Sequence, residues 1–112
     1  MLSKVMNLGR LLSDVARRFP EEPGLILAQG AADGSDRPVP WREINARVDA
    51  LAHALTRRGV KKGDKMLVHS RNNQQIFESA WAAFKMGVVW VPTNFRITPP
   101  EAAYLGQSSG AC

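Results

Sequence analysis

A strand, a helix and a second strand follow one another between residues 65 and 91, and this order constrains the fold more than any other feature of the sequence. The runs Lys65–His69 and Val88–Val91 are short and mostly apolar, which is typical of buried strands. Between them, apolar residues from Ile76 to Phe84 cover more than half of a helix. Because strands joined by a helix usually pair in parallel, the sequence predicts a βαβ unit with a right-handed crossover.

The residues before this unit predict a helix and a hairpin. Asn7 is a suitable helix cap, and the apolar residues Leu8, Leu11, Leu12, Val15 and Phe19 follow it with helical spacing. The apolar run Gly24–Ala28 is separated from Val39 by a polar, glycine-rich loop. Such a loop favours a hairpin, with Val39 on the returning strand.

Two further helices are marked by their ends. One is expected to end at Gly59, because helix C-termini favour glycine. The other is expected to begin at Thr98, since a threonine, two prolines and Glu101 form a capping-box pattern. In the helix that ends at Gly59, the apolar residues recur at steps of three and four: Trp41, Ile44, Val48, Leu51, Ala52 and Leu55.

The fold class that follows is α/β, a partial layered sheet with one βαβ unit and a preceding hairpin. The strands carry apolar residues on both faces, which predicts covering layers on both sides. At 112 residues the chain fits a single small domain, 1–112, and hardly supplies those layers. We therefore expect an incomplete sheet whose uncovered edge could support self-association.

The charge balance of 15 basic against 10 acidic residues could attract nucleic acid or an acidic ligand. The densest basic stretch, residues 57–65, has no interleaved aromatic residues of the kind that bind single strands. Gly59 and Gly63 mark it instead as a solvated helix-to-strand connection. We therefore expect no nucleic-acid partner.

The sequence contains no run of eighteen apolar residues, so no membrane span is predicted. Charges interrupt the apolar residues at the N-terminus, unlike a secretory signal. We expect a soluble, cytoplasmic protein. The single cysteine, Cys112, offers neither a disulfide partner nor metal-ligand spacing.

No residue emerges as catalytic or metal-binding. The sequence lacks GxGxxG, GxxxxGK[ST] and GxSxG patterns. His53 and His69 lack ligand-like spacing, and a local hydrogen-bonding role is expected for His69. Glu43 and Glu101 stand where helix starts favour negative charge.

The remaining polar and aromatic candidates have structural interpretations. Asp64 follows a glycine in a turn that favours local hydrogen bonds. Asn72 and Asn73 precede a helix, where asparagine is a good cap, although α/β proteins also bind anions there. Trp41, Trp81 and Trp90 fall on apolar faces and are expected in the core.

Several segments together resemble the start of the adenylate-forming superfamily of acyl- and aryl-CoA ligases. These are NLGRLLSDVARRFPEEP, WREINARVDALAHALTRRGVKKGDKMLV and, most specifically, GVVWVPTNFRITPPE. The resemblance extends from about Asn7 to Ala111.

Two residues depart from the family's pattern. Pro40 replaces the usual threonine, which removes a helix cap worth about 1 kcal/mol. Gly106 replaces a more usual apolar residue at roughly the same cost.

The resemblance implies the N-terminal part of a large domain whose intact relatives are acid–thiol ligases. Such enzymes use ATP and Mg²⁺ to convert a carboxylic acid, here a fatty or aromatic one, to an acyl-adenylate and then transfer it to CoA. The family's phosphate loop, adenine motif, ribose-binding aspartate and catalytic lysine are not found in this sequence. The chain alone is therefore expected to be inactive and to bind these cofactors poorly. The alternative is a non-catalytic interaction module derived from the same fold.

Arg96 is the one site residue that the resemblance implies. It matches an arginine that approaches CoA phosphates in CoA-using relatives, and a guanidinium can donate paired hydrogen bonds to phosphate. The alternative is an arginine that ties its loop to nearby carbonyl groups or to solvent.

Overall fold

A computed structural model describes residues 8–70, 73–93, 96 and 98–111. The predicted cap Asn7, the connecting residue Asn72 and the terminal Cys112 lie outside these residues. The described part contains α1 (Leu8–Arg18), β1 (Pro23–Leu27), β2 (Arg37–Pro40), α2 (Trp41–Arg57), β3 (Lys65–His69), α3 (Gln74–Met86), β4 (Val89–Thr93) and α4 (Pro99–Ser109). The predicted order of elements is confirmed, and β4 runs two residues further than expected.

The apolar face predicted for α1 is only partly covered. Leu12 is buried, whereas Leu8, Leu11 and Phe19 are about half exposed. Gly9 and Ala16 are buried as well, so the contact face is narrower than the apolar pattern suggests. The physical reason is that α1 packs chiefly against α3 and α2, and these helices cover one stripe of it.

The hairpin forms as predicted. β1 and β2 are antiparallel, with Leu25 opposite Val39, and Val39 is fully buried. Two aspartates order the connecting loop. Asp36 accepts a hydrogen bond from the Gln29 backbone N–H, and Asp33 accepts from the backbone and hydroxyl of Ser35. The hydroxyl bond is the main cause that lowers the pKa of Asp33.

Backbone groups close both ends of α2. Pro40 provides no side-chain cap, as expected, but the first helical N–H groups donate to the carbonyls of Glu22 and Pro20. At the other end, the cap residue is Arg58, one position before the predicted Gly59. Gly59 follows with φ +95°, and the Gly59 and Val60 N–H groups donate to the carbonyls of residues 56 and 55. Only glycine adopts this backbone geometry without strain, so it still ends the helix.

The predicted βαβ unit is present, with β3 and β4 in parallel register and Met66 beside Trp90. Val68 lines the same surface as Ile76 of α3, whereas Leu67 reaches the α4 glycine Gly106. Successive strand residues point to opposite faces, so α3 and α4 cover opposite faces of the pair. Each face of the parallel pair therefore carries one helix, which corrects the expectation that so short a chain hardly supplies covering layers.

The described residues form two separate two-stranded sheets, β1–β2 and β3–β4. The core is built mostly from helices and the hairpin rather than from the parallel pair. Its buried members are Leu12, Val39, Ile44, Val48 and Ala82. The sheet is thus incomplete, as expected. No helix within the described ranges is long and apolar enough to cross a membrane.

Candidate functional site

The carboxyl ends of β3 and β4 meet at one edge of the parallel pair, which is where open α/β sheets bind ligands. His69 ends β3 and Thr93 ends β4, and His69 Nδ1 lies 2.9 Å from Thr93 Oγ1. The Thr93 hydroxyl also donates to the Val68 carbonyl at 3.2 Å. Since a hydroxyl has one proton, His69 donates from Nδ1 in this arrangement. The local hydrogen-bonding role expected for His69 is confirmed.

Two helices begin at this edge, and each uses a polar side chain as its cap. Asn73 Oδ1 accepts from the Ile76 N–H at 3.0 Å. Thr98 Oγ1 accepts from the Glu101 N–H at 3.4 Å, which is one half of the predicted capping box. The structural interpretation of Asn73 is confirmed, because its acceptor oxygen serves the helix.

Arg96 lies in a turn between β4 and α4, and it is exposed. Its position, two residues before the cap Thr98, places it at the carboxyl edge of the parallel pair. An exposed arginine can supply a charge-assisted contact to a phosphate group but cannot enclose one. Contact with CoA stays a prediction.

A groove runs between α2 and α3 beside the end of β3, and we call it the α2–α3 groove. It encloses about 520 Å³. Most of its surface is apolar. The lining residues are Arg47, Ala50, Leu51, Val68, Ser70, Gln75, Ile76, Glu78 and Ser79.

Glu78 is the buried charge of this groove, with a side chain that is 6% exposed. Its carboxylate accepts from Arg47 Nε, from Arg47 Nη2 at 3.2 Å and from Gln74 Nε2 at 3.0 Å. The hydrogen bonds from Arg47 to Glu78, and then the negative charge of Glu78, raise the pKa of Arg47. The sequence analysis missed this cluster. The only nearby sequence feature that indicated it was the four-residue spacing of Gln74 and Glu78, which places both side chains on one face of a helix.

A second polar cluster ties α3 to α2. Lys85 Nζ donates to Asp49 Oδ1 at 2.6 Å and to Asn45 Oδ1, and the Lys85 side chain is 14% exposed. Asn45 and Asp49 lie between the apolar positions of α2. Asp49 is half exposed, but both residues bind the neighbouring helix and are not simply solvated.

The remaining residues that the sequence analysis considered as site candidates lie in the core, on the surface or in a turn. Trp41 and Trp81 pack against the core, as expected, and Trp90 Nε1 donates to Ser79 Oγ at 3.0 Å. His53 is exposed on α2. Asp64 Oδ2 accepts from the Lys61 N–H at 2.9 Å, which confirms its turn role.

No group of three histidine, cysteine, aspartate or glutamate residues in the described part of the chain could hold a metal ion. The carboxylates described above serve loops, turns and interhelical ion pairs. The chemistry available here is hydrogen bonding at a sheet edge and apolar packing in a groove.

Residues 12–112 match the sequence family described as AMP-binding enzyme. A similar curated protein is the 3-oxocholest-4-en-26-oate–CoA ligase of Rhodococcus rhodochrous, which is 31% identical over 93% of this chain. A fatty acyl CoA synthetase of Mycobacterium tuberculosis is 27% identical over 96% of the chain, with a TM-score of 0.84. The N-terminal subdomain of Klebsiella oxytoca NpsA has a similar fold at 23% identity over 94% of the chain, with a TM-score of 0.79.

The chain spans only part of these proteins. It covers 18% of the Rhodococcus ligase and 20% of the Mycobacterium synthetase. It covers 26% of the NpsA N-terminal subdomain, which is itself only a portion of that protein.

Proposed function

Since this chain belongs to the AMP-binding enzyme family, we propose that it is the N-terminal part of an ATP-dependent acyl-CoA ligase. In the whole protein, a fatty or aromatic acid would be converted to an acyl-adenylate with release of pyrophosphate, and the acyl group would then pass to CoA. The observation that carries this proposal is the family match over residues 12–112. Agreement with the fold of a fatty acyl CoA synthetase supports it.

The chain contributes scaffold to this activity. The parallel pair, with α3 and α4 on its two faces, forms one layer of the large domain, and Arg96 at its carboxyl edge would contact CoA. ATP supplies the adenylate and the leaving pyrophosphate, and these groups would bind elsewhere in the whole protein. We therefore propose that the 112-residue chain alone is inactive. A cytoplasmic location stays a prediction.

The test is pyrophosphate release from ATP with a panel of acids, with and without CoA. The panel includes medium- and long-chain fatty acids, benzoate derivatives and a steroid side-chain acid, because one relative is a cholestenoate ligase. The whole protein is expected to turn over at least one acid, and the 112-residue chain none. Turnover by the short chain would refute its inactivity, and no turnover by the whole protein would refute the ligase proposal.

A stand-alone interaction module is the second candidate, and the open sheet favours it. Each two-stranded sheet leaves outer strand edges, and Ile26 of β1 and Val89 of β4 are 61% and 48% exposed. Exposed edges pair readily with other chains. A defined oligomer in sedimentation, together with a cooperative melting transition, would support the module. Polydisperse aggregates would support the ligase segment.

A further inference from the structure

The loop that joins β1 to β2 contains an aspartate followed directly by a glycine, Asp33–Gly34. Every other aspartate and asparagine in this sequence precedes a residue with a side chain. The pair is chemically distinct because glycine has no side chain to keep its backbone nitrogen away from the preceding carboxyl group. Both residues are exposed, so water reaches the bond between them.

Such a pair can rearrange with water as the only reactant. The Gly34 nitrogen attacks Asp33 Cγ and gives up its proton, and the carboxyl group loses its hydroxyl, so that one water molecule leaves and a succinimide ring forms. A second water molecule then opens the ring. Cleavage of the new bond between the nitrogen and Cγ restores aspartate. Cleavage of the original peptide bond leaves isoaspartate, whose backbone passes through Cβ and Cγ.

The folded loop restrains both reacting groups. Asp33 Oδ1 accepts from the Ser35 hydroxyl at 2.6 Å and from the Ser35 N–H at 2.9 Å. The hydroxyl bond first, and the backbone bond second, favour the ionised carboxylate and lower the pKa of Asp33, whereas loss of the hydroxyl requires the protonated group. The Gly34 N–H donates to the Ala31 carbonyl at 3.0 Å, and attack must break this bond as well.

These restraints are local to the loop. Gly34 has φ +84°, and a Cβ built on it would meet no atom of the structure within 4 Å. The reacting bond is therefore not held by packing against the helices. Ser35 restrains the acid, and Ala31 restrains the amide.

We propose that Asp33 is a modification site, at which the backbone isomerises to isoaspartate through a succinimide, and that Ser35 sets the rate by holding the carboxylate. This inference is independent of the proposed ligase activity. Isoaspartate lengthens the loop by one backbone atom and displaces the groups that Ser35 binds. Residues 32–36 are exposed, whereas Val39 is fully buried further along β2, so the core should remain in place.

Incubation of the whole protein in water enriched in ¹⁸O tests the proposal, because each ring opening inserts one oxygen from water. Tandem mass spectrometry of the tryptic peptide 19–42 locates the label and separates isoaspartate from aspartate. Ser35→Ala should label Asp33 about threefold faster than the natural sequence, the change expected for one exposed hydrogen bond. Ser35→Thr keeps the hydroxyl and should label at the original rate. Asp36, which precedes an arginine, is the internal control and should stay unlabelled.

The natural sequence unfolded in urea provides a second measurement that needs no substitution, and it should label faster at Asp33 than the folded protein. Absence of label at Asp33 in the unfolded protein, or equal label at Asp36, overturns the site. Faster labelling of the folded than of the unfolded protein overturns the restraint.

The role of Ser35 has its own criterion. Equal labelling rates for the natural sequence and Ser35→Ala overturn it. The Tm of each variant is measured on the same samples and should be unchanged, because Ser35 is exposed. Faster labelling that accompanies a lower Tm in Ser35→Ala reports general unfolding and also overturns the role of Ser35.

Discussion

Two arginine–glutamate pairs in this chain differ mainly in the burial of the acid. The Glu78 side chain is 6% exposed beside Arg47, whereas the Glu21 side chain is 72% exposed beside Arg42. Removing the partner of a buried charge leaves that charge uncompensated, whereas exposed pairs contribute little. We expect Arg47→Met to lower the free energy of unfolding by about 2 kcal/mol, less than for a fully buried pair because Arg47 is half exposed.

Arg42→Met is the matched control and should cost less than about 1 kcal/mol. Urea unfolding of both variants at 10 °C measures the difference. Equal losses of unfolding free energy for the two substitutions would show that the burial of Glu78 does not determine how much its ion pair contributes to stability.

Arg96 offers a test of ligand contact at a single side chain. If it binds a CoA phosphate in the whole protein, Arg96→Ala should raise the KM for CoA about tenfold, the loss expected for one charge-assisted hydrogen bond. The KM for ATP should not change, and Arg96→Lys should recover part of the loss. Arg58→Ala, another exposed arginine, serves as the control. A lower Tm with an unchanged KM for CoA would assign Arg96 to tying its loop instead.

Two helical glycines should respond oppositely to the same substitution. A Cβ at Gly106 in α4 would meet only Leu67, at an ordinary 3.7 Å, so Gly106→Ala should add about 1 kcal/mol of stability. A Cβ at Gly9 in α1 would lie 2.5 Å from the Lys85 Cα, and Gly9→Ala should therefore cost about 1–3 kcal/mol.

Thermal melting checks both changes, since 1 kcal/mol shifts the Tm of a domain of this size by about 4 °C. A destabilising Gly106→Ala would mean that α4 is not helical at that position in solution. A neutral Gly9→Ala would mean that α1 and α3 do not approach so closely.

Element types were predictable because their signals are local. Periodic apolar residues, the Thr98 cap and the glycine after α2 each act within a few positions, and β3 matched its predicted bounds. The interhelical contacts were not predictable. Arg47 is 31 positions from Glu78 in sequence, and Lys85 is 36 from Asp49, so no local pattern records either pair. The half-exposed face of α1 was missed for the same reason, since exposure depends on which distant helices cover it.

At the scale of the whole molecule, several large apolar side chains are exposed and few are fully buried among the described residues. Tyr104, Ile26 and Leu11 are each more than half exposed, at 67%, 61% and 54%. We expect the isolated chain to melt below about 45 °C, the lower end of the range for small domains. It should also bind a dye specific for exposed apolar surface. A sharp transition above that temperature without dye binding would indicate a self-sufficient domain.

The packing of α1 against α2 and α3 also sets an order of events during synthesis. α1 leaves the ribosome before α2, α3 and α4, yet Gly9 and Lys85, which meet where α1 touches α3, are separated by most of the chain. The hairpin, whose strands are neighbours in sequence, can close early, because nearby segments meet quickly. Although α1 is made before the other three helices, it is therefore among the last of these elements to find its partners, and its apolar stripe must stay accessible to chaperones until α3 has emerged.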